Sequence, residues 1–286
     1  MEINGTTRVC GLIGHPVEHT ASPLIHNTLS LLTGENIAYA AFHVEPQHLE
    51  TAIRGAYGLN LLGLNVTIPY KQAVIPYLTQ IDEAAKQVGA VNTLVRMEGG
   101  FKGYNTDLPG LGRALSYDGV SVTGEDVLVL GAGGVSRAVV MLMLQLGAAG
   151  VTICNRSRDR AQELADTANR TAGRTFCRAT GYEELPDLCA GEKRIVFQTT
   201  SVGMSPKEGE APVTDPAFYQ QVKVGYDLIF RPAQTEFMRL CRQAGAQAFN
   251  GYRMLLFQGI IAYELWTGRA ITDEEAAKVL RKLEEN

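Results

Sequence analysis

DVLVLGAGGVSRAVVMLMLQLG, residues Asp126–Gly147, is the stretch on which the fold class of this chain turns. Val127 to Leu130 is a short apolar run, the pattern of a strand buried on both faces. Gly131, Gly133 and Gly134 follow, where a backbone without Cβ can turn tightly and admit a close neighbour. From Ser136 to Gln145 the Ala, Leu and Met content predicts a helix, with Gly147 as its stop. Strand, glycine turn and helix in that order leave free backbone N–H groups at a helix N-terminus, which is an anion site.

The turn reads G-x-G-x-x-S, with Ser136 at a third position that needs only a small residue for helix–strand packing. The next expected strand, Val151 to Cys154, runs into NRSRDR. A dinucleotide site preferring NAD places an Asp or Glu at that strand end to bind the ribose 2′-hydroxyl. Here Asn155, Arg156, Ser157 and Arg160 stand there instead, and two guanidiniums with a hydroxyl suit a 2′-phosphate. The expected cofactor is therefore NADP. The alternative, an exposed basic helix start, leaves cations opposing the helix dipole.

Composition bounds the rest. A chain of 286 residues can hold two modest domains, each with its own core. Hydrophobic content of 45% and charged content of 20% describe an ordinary globular protein. A net charge of −4 gives no general footprint for nucleic acid or an acidic membrane. There is no secretory signal pattern and no apolar run long enough to span a bilayer. The five cysteines (Cys10, Cys154, Cys177, Cys189, Cys241) form no C-x-x-C pair and read as reduced thiols of a cytoplasmic protein, not as a disulfide frame or zinc site.

In the first third, Arg8 to Ile13 reads as a strand ending at Gly14. Ser22-Pro23 then signals a helix start, with Ser22 as N-cap, Leu24, Ile25, Leu29 and Leu32 on one face, and Gly34 as the stop. Thr20 and Ser22 thus place two hydroxyls beside a helix N-terminus, where a small carboxylate can be held; Ser22 as a mere cap is the alternative. His15, His19 and His26 lie nearby, but no Asp, Glu or Cys completes a metal set, and surface or capping roles are expected of them. Ala38–Val44 and Leu61–Ile68 are expected strands, with helices over Pro46–Tyr57 and from about Thr79 to Val88. Such alternation predicts a parallel α/β sheet with functional groups at the strand C-terminal ends, and Lys71 lies just past one. Val91–Met97 and Phe101–Tyr104 flank Glu98-Gly99-Gly100 as a hairpin with Asn92 and Asp107 at its ends. Pro109–Tyr117 reads as a linking helix.

GLIGHPVEHTASPLIHN, NVTIPYK, GAVNT, GYNTD, GAGGVSRA, NRSRDRA, TTSVGM, YDLIFRPAQT and GYRMLLFQGIIAYELWTG, in this order, resemble the shikimate dehydrogenase family across nearly the whole chain. The resemblance implies an N-terminal α/β substrate domain (1–107 plus 251–286) with a mostly parallel sheet, a Rossmann NADP domain (108–250), and an active site in the cleft between them. It implies reversible, NADPH-dependent reduction of 3-dehydroshikimate to shikimate, in aromatic amino-acid biosynthesis. Lys71 and Asp107 would be the catalytic pair, the hydroxyls of Thr20, Ser22 and Thr67 would hold the substrate, and Asn92 and Gln258 would bond its ring hydroxyls. Gly131, Ala132, Gly133, Gly134 and Val135 would take the pyrophosphate, and Asn155, Arg156, Ser157 and Arg160 the 2′-phosphate. Glu83, Leu228 and Gly251 fall where the family contacts its cofactor.

Four residues depart from the family pattern: Thr20 for Ser, Phe230 for a substrate-binding Tyr, Gln198 for Asn and Leu108 for Gly. They bear on substrate identity rather than reaction type, and a quinate or dual quinate/shikimate dehydrogenase is the nearest rival. A silent ligand sensor would be expected to have lost Lys71 or Asp107, and both remain. A free lysine, with a pKa of about 10.4, is a poor base at neutrality, so which member of the pair moves the proton is open. A small-molecule partner is expected, with no metal, nucleic acid or membrane. A homodimer is compatible with the sequence, in which no feature reports an interface.

Overall fold

The computed structural model describes residues 2–185 and 193–285. The chain divides into two compact units, Met1–Gly110 with Leu255–Asn286, and Leu111–Met254.

The first unit carries strands β1 (Arg8–Gly14), β2 (Ile37–His43), β3 (Gly63–Val66), β4 (Gln80–Ile81), β5 (Thr93–Met97) and β6 (Gly100–Tyr104). Its helices are α1 (Ser22–Thr33), α2 (Leu49–Gly58), α3 (Tyr70–Ala73) and α4 (Glu83–Val88), with α5 (Asp107–Tyr117) beginning in it. The strand order is β2-β1-β3-β5-β6-β4. Strands β1, β2 and β3 pair in parallel, as do β4 and β6, while β5 runs antiparallel to both its neighbours. The core on one face joins Ile13, Leu64, Val66 and Leu94 of the strands to Leu49 and Ile53 of α2.

Two local readings change. Residues 79–82 are not helical: Gln80–Ile81 adds an edge strand to β6, and α4 starts only after Asp82, whose carboxylate caps it by accepting the Ala84 N–H at 3.1 Å. Helix α1 begins one residue earlier than expected, so Ser22 lies inside it, Ala21 is the N-cap and no side chain caps it. The Ser22 hydroxyl instead accepts from Thr20 Oγ1 at 3.1 Å.

The second unit contains β7 (Asp126–Leu130), β8 (Gly150–Cys154), β9 (Cys177–Thr180), β10 (Arg194–Gln198), β11 (Val222–Asp227) and β12 (Gln247–Phe249). Its helices are α6 (Gly134–Gln145), α7 (Arg158–Ala172), α8 (Pro216–Gln220) and α9 (Glu236–Gln243). All pairings here are parallel, in the order β12-β11-β10-β7-β8-β9. Numbered from one within the unit, this is 3-2-1-4-5-6 read from its β9 edge, the doubly wound dinucleotide-binding order. Val127, Val129, Leu130, Ile153 and Phe197 are fully buried, as strands covered on both faces require.

The chain continues into α10 (Tyr252–Thr267) and α11 (Asp273–Glu284), the latter capped reciprocally by Thr272 and Glu275. Cys10, Cys154, Cys177 and Cys241 are free and buried; Cys189 lies outside the described residues. Among the described residues no helix is long and apolar enough to cross a membrane.

Candidate active site

The antiparallel β5 is what gathers the polar groups of the first unit. Because it runs against β3 and β6, the residue that leads into it, Asn92, falls at the same end of the sheet as the C-terminal ends of those two strands. Thr67 follows β3 directly, Lys71 stands on the single turn of α3, and Asp107 opens α5 three residues after β6. Backbone bonds tie the strand ends together: Val66 N donates to Asn92 O at 2.9 Å, Asn92 N to Tyr104 O at 3.0 Å, and Val91 N to Lys71 O at 2.7 Å.

Lys71 Nζ donates to Asp107 Oδ2 at 2.6 Å, with the two side chains 32% and 20% exposed, so the pair is reachable but largely enclosed. Asp107 is positioned from behind. Asn92 Oδ1 accepts the Thr106 backbone N–H at 2.8 Å, which fixes the amide orientation and turns Nδ2 toward Asp107 Oδ1 at 2.9 Å and Thr106 Oγ1 at 3.1 Å. Both Nδ2 hydrogens are therefore committed within the protein, and Asn92 acts here as the orienter of Asp107. Asn65, in the middle of β3, is a further member that the sequence did not single out as a site. It is buried, accepts from Tyr39 Oη at 2.7 Å, and donates to Asn92 O at 3.3 Å and Thr93 Oγ1 at 3.1 Å. A polar residue inside an apolar strand was the available signal.

Gln258 lies on α10, its Nε2 donating to Leu255 O at 2.8 Å. A Cβ on Gly110 would stand 2.7 Å from Gln258 N, so the helix begun by Asp107 approaches Gln258 closely because residue 110 has no side chain. Thr20 and Ser22 meet through their hydroxyls at the start of α1. Leu108, a departure from the family pattern, is 6% exposed and packs inward. Glu83 sits at the first turn of α4, paired with Lys86 at 3.2 Å. His26 is not a surface or capping residue. It is 1% exposed, stacks on Tyr39 with ring centroids 4.2 Å apart, and burial pushes its pKa down to about 3, so it is a neutral core imidazole.

In the second unit the strand order reverses between β7 and β10, and a cavity of about 1030 Å³ opens there. Gly131, Ala132, Gly133, Asn155, Arg156 and Thr199 are among its lining residues. Gly131 has φ +115°, and a Cβ on it would stand 2.6 Å from Thr199 Oγ1; Cβ atoms on Gly133 and Gly134 would meet open space. Ser136 does more than fit: its buried Oγ accepts the Gly133 N–H at 2.9 Å and meets Thr199 Oγ1 at 2.7 Å. Thr199 in turn donates from its hydroxyl to Leu130 O at 2.7 Å, clamping the turn across the two strands.

Around this cavity, Val135 is 45% exposed at the first turn of α6. Ser157 is the N-cap residue of α7 without using its side chain as a cap, and Arg160 lies exposed on that helix. Gln198 is fully buried; it accepts the Thr200 N–H at 2.6 Å and donates to Val202 O at 2.9 Å, so the longer amide shapes the loop after β10. Leu228 and Gly251 are brought together, a Cβ at 251 being blocked by the Leu228 carbonyl, and Phe230 lies with its ring centroid 6.1 Å from that of Tyr252. An open glycine turn, a roomy cavity and a lining guanidinium with no strand-end carboxylate are what a phosphorylated dinucleotide requires.

The family model for the shikimate dehydrogenase substrate-binding domain matches residues 12–94, and that for shikimate/quinate 5-dehydrogenase matches residues 115–203. The chain is 41% identical to the NADP(+) shikimate dehydrogenase of Carboxydothermus hydrogenoformans, over 94% of each chain. It is 44% identical to that of Symbiobacterium thermophilum, over 93% of this chain and 90% of the other. A crystal structure of a shikimate dehydrogenase in complex with NADP+ superposes with a TM-score of 0.88 at 34% identity, covering 98% of this chain and 97% of the other. Such identity over nearly its full length, together with both family models in chain order, means that this chain belongs to the shikimate dehydrogenase family.

Proposed function

We propose that this protein is an NADP-dependent oxidoreductase that interconverts 3-dehydroshikimate and shikimate, in the cytoplasmic biosynthesis of aromatic amino acids. The observation that carries this reading is the Lys71–Asp107 pair, 2.6 Å apart and partly enclosed, with Asp107 locked by Asn92. When bound, NADPH supplies the hydride that this chain's own side chains cannot. Lys71 Nζ keeps two N–H groups beyond the one given to Asp107, and one of them donates to the ring ketone oxygen. As hydride reaches the carbonyl carbon, the proton passes from Lys71 Nζ to that oxygen, giving the alcohol and a neutral amine that solvent reprotonates. Asp107 holds Nζ in place for that transfer.

Thr20, Ser22 and Thr67 offer hydroxyls for the substrate carboxylate and ring, and Gln258 retains an amide oxygen and one hydrogen for a ring hydroxyl. Gly133, Gly134 and Val135 would take the pyrophosphate at the start of α6, and Arg156 with Asn155, Ser157 and Arg160 the 2′-phosphate. Glu83, Leu228 and Gly251 are assigned contacts with the cofactor, and Phe230 one with the substrate. The test is an initial-rate matrix of NADP and NAD against shikimate and quinate. Shikimate with NADP should dominate. Dominance of quinate would move the protein to the dual-specificity reading, which the loss of a phenol at Phe230 favours, and dominance of NAD would overturn the role of Arg156.

A further inference from the structure

We infer a divalent transition-metal site, selective for zinc-like ions, formed by His15, His43 and Glu45 at the outer strands of the first unit. The parallel register pairs Gly14 with His43, so the residue after β1 and the last residue of β2 are neighbours whatever their separation in sequence. Val44 N donates to Gly14 O at 3.1 Å and His15 N to Ile68 O at 3.0 Å, which fixes both backbones. Glu45, next in the extended segment after β2, returns its carboxylate to the same point. Among the described residues this is the group of three such side chains whose donor atoms all lie within 4.8 Å of one another.

One of the three distances matches a tetrahedral ion, and the other two lie about half an ångström to either side of it. With bonds of about 2.0–2.1 Å, ligand atoms around zinc stand about 3.3–3.4 Å apart. His43 Nε2 to Glu45 Oε1 is 3.3 Å. His15 Nδ1 is 2.8 Å from His43 Nε2 and 3.9 Å from Glu45 Oε2, and the two rings meet edge to face at 82°. Opening the short edge and closing the long one, each by about half an ångström, falls to His15, His43 and Glu45 side chains that are 38%, 39% and 49% exposed.

The decisive feature lies behind the ligands. Glu18 Oε1 stands 3.3 Å from His43 Nδ1, and Glu18 Oε2 accepts the Val17 N–H at 3.0 Å. A carboxylate on Nδ1 holds that proton there and presents the Nε2 lone pair outward, the carboxylate–histidine arrangement that supports metal sites. Two carboxylates, Glu45 at the ion and Glu18 behind His43, balance a divalent charge. Two imidazoles and one carboxylate leave a fourth position for water, and such a donor set suits zinc, nickel or copper rather than magnesium or calcium. None of these four side chains has a part in the proposed hydride chemistry.

The test is calorimetric titration of the chelator-stripped, full-length protein with Zn²⁺, with Co²⁺ as an optical probe of coordination. One ion per chain is expected, with a visible cobalt spectrum of low coordination number. His43→Ala and Glu45→Ala should abolish both signals, and Glu18→Gln, a change at an exposed side chain, should weaken zinc about 10–100-fold. Circular dichroism of each variant guards against loss of fold. Absence of binding to the wild type, or binding of undiminished affinity in His43→Ala and Glu18→Gln, overturns the inference.

Discussion

At the scale of single residues, the candidate site is a chain of orientation in which each polar group is fixed by the one behind it. The Thr106 N–H orients Asn92, Asn92 orients Asp107, and Asp107 holds Lys71. Replacing Lys71 by Met keeps the length of the side chain but removes the proton, so turnover should fall at least about a hundredfold. Near-normal turnover measured with shikimate and NADP would sink the assignment of Lys71. Asn65 is a second test, further from the reacting atoms. In Asn65→Leu the Tyr39 hydroxyl, 5% exposed as a residue, loses its acceptor and Thr93 loses a donor. Unmade buried hydrogen bonds of this kind cost about 2–3 kcal/mol together. Urea unfolding should report that loss, and a variant as stable as the wild type would mean that the network contributes nothing to the fold.

At the scale of elements, the segment from β11 to α9 is held by one buried acid. Asp227, fully buried, accepts the Ile229 N–H at 3.0 Å and the Thr235 hydroxyl at 2.6 Å, while Thr235 also caps α9 by accepting from Met238 N. Desolvation by burial pushes its pKa up to about 7, against the lowering effect of the Thr235 and Ile229 bonds. The folded chain therefore binds this proton more tightly than the unfolded chain. Its contribution to stability is complete below about pH 4 and is lost as pH rises to about 7, roughly 2–4 kcal/mol in all. Asp227→Asn keeps an acceptor for Ile229 but cannot titrate. The stability of the wild type relative to this variant should fall between pH 4 and 7 and level off above, and a pH-independent difference would contradict the shift. The elements also show what could be read from sequence. Strand, glycine turn and helix were legible over Asp126–Gly147 because they rest on contiguous patterns. The clamp from Ser136 to Thr199 was not, since it depends on β7 and β10 being neighbours. The same limit hid the partners of His15: His43 and Glu45 reach it only through the register of β1 and β2, which no local periodicity encodes. The strand at Gln80–Ile81 was missed because two residues carry no period at all.

At the scale of the whole molecule, the two units have separate sheets and separate cores, and the proposed function divides the binding work between them. The groups assigned to the substrate, Phe230 excepted, lie in Met1–Gly110 with Leu255–Asn286, and those assigned to the phosphates of the cofactor lie in Leu111–Met254. Each ligand binds only the folded state of the unit it touches, so each should stabilise that unit by mass action, about 2.7 kcal/mol at a hundredfold excess over its Kd. Amide exchange resolves the two, because local opening reports the stability of each region separately. With NADP+ alone, slowing is expected at the start of α6 and in the loop after β10, where Thr199 and Thr200 follow Gln198. With shikimate alone, slowing is expected around Thr20 and Ser22 and at the start of α5. Protection by NADP+ confined to the first unit would overturn the assignment of the glycine turn, because no other arrangement of Gly131–Val135 and Arg156 would then be in use.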